Sequence, residues 1–338
     1  MWKATITAGL AVALVAIAAA FLLRGSGETV VVYVSHDQVF SEPILKDFEK
    51  DTGIKVKTVF DTEETKSAGV MNRLIAEKAN PQADVYWANE PIRAEVLRQQ
   101  GVAASYRSAN AEGIPAIFRD PGGFWTGFSA RVRMLIVNKS EKTRPASLFA
   151  YEDTRWAGQA VIAHPLFGTT TAHLAAVFSA LGDERARALM KKMKANGVHI
   201  SSSNGDSADL VASGTYKFAM VDSDDVASRI KQGRPVEGIY PDQQEGGLGC
   251  FIVPNAVVLI KGARHAEQGR QLIDYLLSTQ TEKKLAFSDA AQIPLHAGVE
   301  TPAHVAHIET LKVMKVDYAE VAAKMLVIQP FLKDWVGH

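Results

Sequence analysis

Residues 29–60 read "TVVVYVSHDQVFSEPILKDFEKDTGIKVKTVF" and set the architecture. Residues 29–35 are a short β-branched run, the composition of a buried strand. From Ser41 to Gly53 the apolar residues recur at helical spacing and end on a glycine, as a helix with its stop signal does. Residues 54–60 alternate apolar and polar like a half-buried strand. Further on, "SAGVMNRLIAEKAN" (67–80) has the spacing of a helix and "ADVYWAN" (83–89) that of a strand followed by a turn. A β-α-β-α-β order implies a mainly parallel sheet covered on both faces, with ligands beyond the carboxyl ends of its strands. The residues just after those strands are therefore the informative ones: Ser35, His36 and Asp37, then Asp61, Thr62 and Glu63, then Asn89 and Glu90.

A second α/β unit is expected to start near "RMLIVNKS" (133–140). It continues through the strand "QAVIAHP", a helix starting near Thr170 or Thr171, the strand "VHISSS", the helix "SADLVASG" and the strand "KFAMVDS". The strand-rich "GCFIVPNAVVLIKGA" then returns the chain to the first unit, ahead of a helical tail. The expected fold is α/β and two-lobed, with residues 27–132 and 250–303 in lobe 1 and residues 133–249 and 304–338 in lobe 2. Two lobes crossed more than once by the chain make a hinged clamp with its site in the cleft.

The chain has 338 residues, 47% of them hydrophobic, and a formal net charge of zero. That is enough for two cores, and it leaves no basic stripe of the kind nucleic-acid binding requires. Cys250 is the sole cysteine, which excludes an internal disulfide and any cysteine-rich zinc site; its apolar surroundings mark it as a small buried hydrophobe. At the N-terminus an uncharged stretch runs from Ala4 to Leu23 between Lys3 and Arg24, about 30 Å of helix and enough to span a bilayer core. Residues 1–26 are thus an export signal or a retained anchor, and a periplasmic location follows, tethered to the inner membrane if the segment is not cleaved.

Two stretches carry candidate chemistry. In "HPLFGTTTAHLAAVF" a strand gives way to Gly168, Thr169 and Thr170 and then to a helix. Amides at a helix start, with a glycine permitting close approach, form an anion site; the plainer alternative is a threonine acting only as helix cap. In "FAMVDSDDVA" (218–227) an apolar run stops at Asp222, Asp224 and Asp225. One aspartate suffices as a cap, and three so close repel one another unless a cation or donor sits among them. Tyr86 and Trp87, Trp125, Ser203, Asn204, Asp206, Tyr240 and Asp242 are weaker candidates for the cleft wall or hinge. No G-x-S-x-G elbow, Walker loop, G-x-G-x-x-G or H-E-x-x-H is present, so a binding protein without cofactor is expected rather than an enzyme.

Together, "VVYVSHD", "EPILKDFEKDTGIKVKTVFDTEETKSAGVMNRLIAEKANPQADVYWANEP" and the later "GIYPDQ", "GLGCFIVPNAVVLIKGARHAEQGRQLIDYLLS" and "AQIPL" resemble the ferric-iron type of periplasmic solute-binding protein of ABC importers, over roughly residues 29–298. The resemblance implies a type II periplasmic-binding fold, a monomer, and an ABC permease in the inner membrane as partner. It also implies anion binding at Gly168, Thr169 and Thr170. Iron-binding members carry two adjacent tyrosines where this sequence places Asp224 and Asp225, and the nearest tyrosines, Tyr216 and Tyr240, are not adjacent. The expected ligand is therefore a small phosphate- or phosphonate-bearing solute, such as an aminoalkylphosphonate or sugar phosphate. The expected ligand-binding set is His36, Asn89, Glu90, Gly168, Thr169, Thr170, Asp222, Asp224 and Asp225, with no residue assigned to a metal. Alternatives are ferric or another metal ion held by the carboxylates, and a membrane-anchored ligand sensor built on the same clamp.

Overall fold

The computed structural model describes residues 28–61 and 68–337. The signal or anchor assigned to residues 1–26 and the candidates Thr62 and Glu63 lie outside them. Strand β1 (Thr29–Val34) leads into helix α1 (Gln38–Thr52), β2 (Lys55–Phe60), α2 (Ala68–Ala76), β3 (Val85–Ala88), α3 (Pro91–Gln99) and the short β4 (Ala103–Ala104). Helix α1 ends where Gly53 takes φ 78° and returns its N–H to the Glu49 carbonyl, a left-handed cap that glycine adopts without steric cost. Helix α3 starts on Pro91, and the Glu90 carboxylate caps it by accepting from the amides of Ile92 and Arg93.

The second half holds β6 (Ala160–Ala163), α4 (Gly168–Leu181), α5 (Asp183–Ala195), β7 (His199–Ser201), α6 (Asn204–Ala212), β8 (Phe218–Asp222), α7 (Ser223–Lys231) and β9 (Val236–Ile239). Between the halves run two long strands, β5 (Thr126–Asn138) and β10 (Ile252–Ile260). Helices α8 (Ala266–Leu276), α9 (Thr279–Phe287) and α10 (Tyr318–Val336) complete the chain, and α10 packs against both α3 and α4.

All strands of the described residues belong to one curled sheet of order β2-β1-β3-β10-β5-β8-β6-β7, with β4 on β10 and β9 on β5. The outer pairs β1–β2, β1–β3, β6–β7 and β6–β8 are parallel, while β10 and β5 run antiparallel to their neighbours. The mainly parallel sheet expected from sequence thus holds in each wing and gives way to antiparallel pairing in the middle. The segment "RMLIVNKS", the expected start of the second unit, continues an existing strand rather than opening a new one. It is the second part of β5, whose residues up to Val132 pair with β10 and whose residues from Arg133 pair with β8. The change of partner leaves no alternation to mark it, because both parts are buried.

Two helices start earlier than their apolar periodicity indicates, α4 at Gly168 and α6 at Asn204. The central strands β3, β8 and β10 are buried throughout, as expected for strands covered on both faces. Cys250 is buried too, and desolvation pushes its thiol far above the ordinary range.

Candidate functional site

Where β8 ends, its last residue Asp222 lies directly across the ladder from Arg133 of β5. Arg133 has no exposed surface, and a guanidinium so placed needs partners; its two terminal nitrogens find them, while its Nε has no hydrogen-bond partner. Its Nη1 donates to Asp222 Oδ1 at 2.9 Å and to Thr169 Oγ1 and Asn204 Oδ1, both at 3.1 Å. Its Nη2 donates to the Met220 carbonyl at 3.0 Å. Thr169 Oγ1 in turn donates to Asp222 Oδ2 at 2.7 Å and accepts from Asn204 Nδ2 at 2.9 Å, while Thr170 Oγ1 donates to Asn204 Oδ1 at 3.2 Å. Burial alone would raise the Asp222 pKa, but Arg133 and Arg131 outweigh it and hold the carboxyl below its usual range. Asp222 is thus ionised and already paired.

These bonds also show what the threonines of α4 do. Phe167 is the N-cap residue of that helix and cannot accept a hydrogen bond through its side chain. The three hydroxyls are directed elsewhere: Thr169 to Asp222, Thr170 to Asn204 and Thr171 to the Pro165 carbonyl. The alternative of a threonine cap is not what forms. Gly168 sits at φ 58° with open space where a Cβ would project. The first amides of a 14-residue helix are therefore left without side-chain caps, beside Arg133.

Arg131 lies two residues before Arg133 on the same face of β5. Its Nη2 donates to the Asn89 carbonyl at 2.5 Å, and its Nη1 is 3.5 Å from Asp222 Oδ2. It therefore ties the end of β3 to the end of β8. Burial works against its charge, but Asp222, Asp224, Asp37 and Glu90 surround it and keep it protonated.

Asp224 and Asp225 stand in the first turn of α7, and with Asp222 they bring one carboxylate oxygen each to within 4.8 Å of one another. Desolvation pushes Asp224 up to about 6 against the pull of Arg131. Asp225 rises to about 8, through desolvation and then repulsion from Asp224 and Asp222; Arg229, 3.5 Å away, only partly offsets this. Both aspartates line a cavity of about 1010 Å³, whose other walls include Phe40, Met134, Tyr240 and Phe287. Lys231 of α7 and Asp289 after α9 form a 2.6 Å ion pair across its rim.

The other expected residues divide by location. His36 is buried, stacked on Trp87 with ring centroids 5.5 Å apart. Asn89 meets Arg131 through its carbonyl. Glu90 is committed to its helix cap and to Arg93 Nη1 at 2.9 Å, so its carboxylate serves α3. Asp61 accepts from Ser35 Oγ, which also meets the Tyr86 hydroxyl. Ser203 caps α6, Asp206 accepts from Ser202, and Asp242 accepts from Ser147 and the Leu148 amide. Trp125 is buried against Glu95, away from the cavity. Sequence reading missed Arg131, Arg133 and Gln292; the available signal was two arginines, i and i+2, in the otherwise apolar "SARVRMLIVN".

Over residues 44–312 the chain matches the family model of the bacterial extracellular solute-binding proteins. It is 26% identical over 302 residues to iron uptake protein A1 of Synechocystis sp., covering 85% of this chain and 81% of that protein. It is 27% identical over 242 residues to a Salmonella typhimurium protein provisionally named a 2-aminoethylphosphonate-binding periplasmic protein, covering 71% and 69%. Among solved structures, apo ferric ion-binding protein A of Pasteurella haemolytica superposes with a TM-score of 0.80 at 22% identity, covering 92% of this chain and 98% of that one. The periplasmic binding protein AfuA of Actinobacillus pleuropneumoniae, with exogenous fructose-6-phosphate bound, gives 0.74 at 22%, with coverage of 92% and 98%. The chain therefore has the type II periplasmic-binding fold and belongs to the bacterial extracellular solute-binding protein family.

Proposed function

We propose that this solute-binding protein of an ABC importer takes a short zwitterion carrying a phosphonate or phosphate at one end and an amine at the other, with an aminoalkylphosphonate fitting better than a sugar phosphate. The observation that carries this is the adjacency of an uncapped helix start and an under-compensated carboxylate pair. The α4 amides at Gly168, Thr169 and Thr170 suit a phosphoryl group, and Arg133, bonded to the Thr169 hydroxyl, lies beside them. Burial first, and then repulsion among the carboxyls, raises Asp224 and Asp225 above the usual carboxylate range; an ammonium beside them would offset both. Asp222 touches Thr169 and neighbours both aspartates, so the two poles lie only a few ångströms apart.

In this reading residues 27–132 with 250–303 and residues 133–249 with 304–338 form the two lobes, β5 and β10 cross between them, and the clamp closes over the solute before delivery to the permease. His36, Asn89 and Glu90 contribute from the first lobe, Glu90 indirectly by fixing α3. A second reading, ferric or another hard cation, draws on the carboxylate triad. Against it stand the commitment of Asp222 to Arg133 and the absence of an adjacent tyrosine pair.

Thermal stabilisation with 2-aminoethylphosphonate, inorganic phosphate, glucose-6-phosphate and ferric citrate separates these readings. A ligand at about a hundred times its Kd adds roughly 2.7 kcal/mol. Stabilisation by 2-aminoethylphosphonate well above that by phosphate is expected; a shift with ferric citrate alone would sink the zwitterion reading.

A further inference from the structure

We infer that Asp209, an aspartate outside the cavity, is a positioning residue: it holds the Arg229 guanidinium against α6 and so keeps the Asp225 carboxyl open to the ammonium end of a solute. The inference rests on the zwitterion reading above for the identity of the solute; the hold of Asp209 on Arg229 does not.

Spacing alone pairs Arg229 with Asp225. The two lie i, i+4 on α7 with the acid toward the N-terminus, the arrangement that favours an ion pair along a helix. The guanidinium instead turns to α6. Its Nε donates to Asp209 Oδ1 at 3.1 Å and its Nη2 to Asp209 Oδ2 at 3.0 Å, a two-pronged bond that fixes the plane of the group. Nη2 also donates to the Gly205 carbonyl at 2.8 Å. Both partners belong to α6, which packs against α7. A Cβ on Gly205 would stand 3.3 Å from Nη2, so a residue without one gives the guanidinium room at that carbonyl. What remains for Asp225 is Nη1, 3.5 Å from its Oδ1 and beyond the length of a normal N–H···O bond.

Asp225 and Arg229 both line the cavity, and Asp209 does not. Its effect on the site therefore passes through the arginine. Around Asp225 stand Asp224 and Arg229 on α7, Asp222 on β8, Arg133 on β5 and, behind Arg229, Asp209 on α6. The first and third of these repel it, and Arg133 is committed to Asp222 at 2.9 Å. The placement of Arg229 thus sets how much negative charge the wall offers. With Arg229 held by Asp209, burial and the two neighbouring carboxyls outweigh its pull, and Asp225 stays raised to about 8. Released, the same guanidinium would close the i, i+4 pair and take the place an ammonium would occupy.

The full chain tests this in two readouts. In the ligand-free protein, ¹³C spectra of labelled aspartate carboxyls follow Asp225, its signal identified by loss in Asp225→Asn. Asp209→Ala should lower the Asp225 midpoint by about one pH unit or more, as an opposite charge closing in does, and Asp209→Asn, which keeps one acceptor, should lower it less. Because Asp209→Ala also removes a negative charge, it is repeated in an Arg229→Gln background, where most of the shift should vanish. By calorimetric titration Asp209→Ala should raise the Kd for 2-aminoethylphosphonate about tenfold, the scale of one charge-assisted hydrogen bond, and leave that for inorganic phosphate nearly unchanged. A midpoint that stays in place in Asp209→Ala, or that moves as far without Arg229, overturns the inference, and so do equal losses for the two ligands. Should the midpoints move as expected while the wild type binds no 2-aminoethylphosphonate, the zwitterion reading falls and the hold of Asp209 on Arg229 stands.

Discussion

Within the five residues Asp222–Val226, one carboxylate is fully paired and two are only partly compensated. Asp222 faces Arg133 across the sheet, shares Thr169 with it, and is held below the usual carboxylate range. Asp224 and Asp225, in the first turn of α7, are raised by burial to about 6 and about 8. Identical side chains thus divide into an ionised structural floor and a wall that holds its protons to higher pH, because the floor has its cation built in. The lesson is that a carboxylate's task follows from its counter-charge. A buried pair is neutral to its surroundings, whereas an under-compensated pair leaves work for a ligand.

The most severe way to break the contrast is Arg133→Met, which turns the floor into a second uncompensated site. Removing one partner of a buried ion pair costs about 3–5 kcal/mol, and urea unfolding should show that loss, with Asp222→Asn added to the variant recovering part of it. An unchanged midpoint would mean that the network carries no stability. Next in size, replacing Asp224 and Asp225 together by Asn should weaken 2-aminoethylphosphonate by ten- to a hundredfold while leaving phosphate nearly untouched, by calorimetric titration. Equal losses for both would assign the wall to structure.

The same pair predicts an unusual pH dependence. A carboxyl whose folded pKa exceeds its unfolded value binds more protons in the folded state, so stability falls as pH rises. The window runs from about 4, the unfolded value, to about 8. Asp225→Asn should therefore stabilise the ligand-free protein at pH 8, on the order of 1–3 kcal/mol, and do little at pH 4. A variant that melts alike with wild type at both pH values would remove the basis for an under-compensated wall. The smallest effect belongs to Thr170→Val. It deletes a hydroxyl bond to Asn204 worth about 1 kcal/mol, and should weaken phosphonate and phosphate by a similar few-fold factor in the same titration.

The α/β alternation and the importance of strand ends were legible because periodicity and turn residues are local properties. The aspartate cluster and the glycine-threonine loop were legible as well, since each lies in a single short segment. What could not be seen was pairing across distance. Arg133 meets Asp222 through a register 89 residues apart in sequence, and Gln292 reaches His36 over 256. Glu90 looked available for a ligand because capping by a glutamate leaves little trace in sequence beyond the following proline. That the segment from Arg133 continues a strand already begun at Thr126 could not be seen, because burial on both faces removes the alternation that would have marked the change of partner.

The lone Cys250 thiol, buried and shifted far from reactivity, gives the protein a chemically silent background. A cysteine introduced at Ile230 or Phe287, exposed side chains on the rim of the cavity, would be the one site open to a maleimide dye. A fluorophore there would sit where the two halves face each other beside the Lys231–Asp289 pair, and its emission would report solute capture without any change to the native thiol. The molecule is in that sense already prepared as the recognition half of an optical sensor.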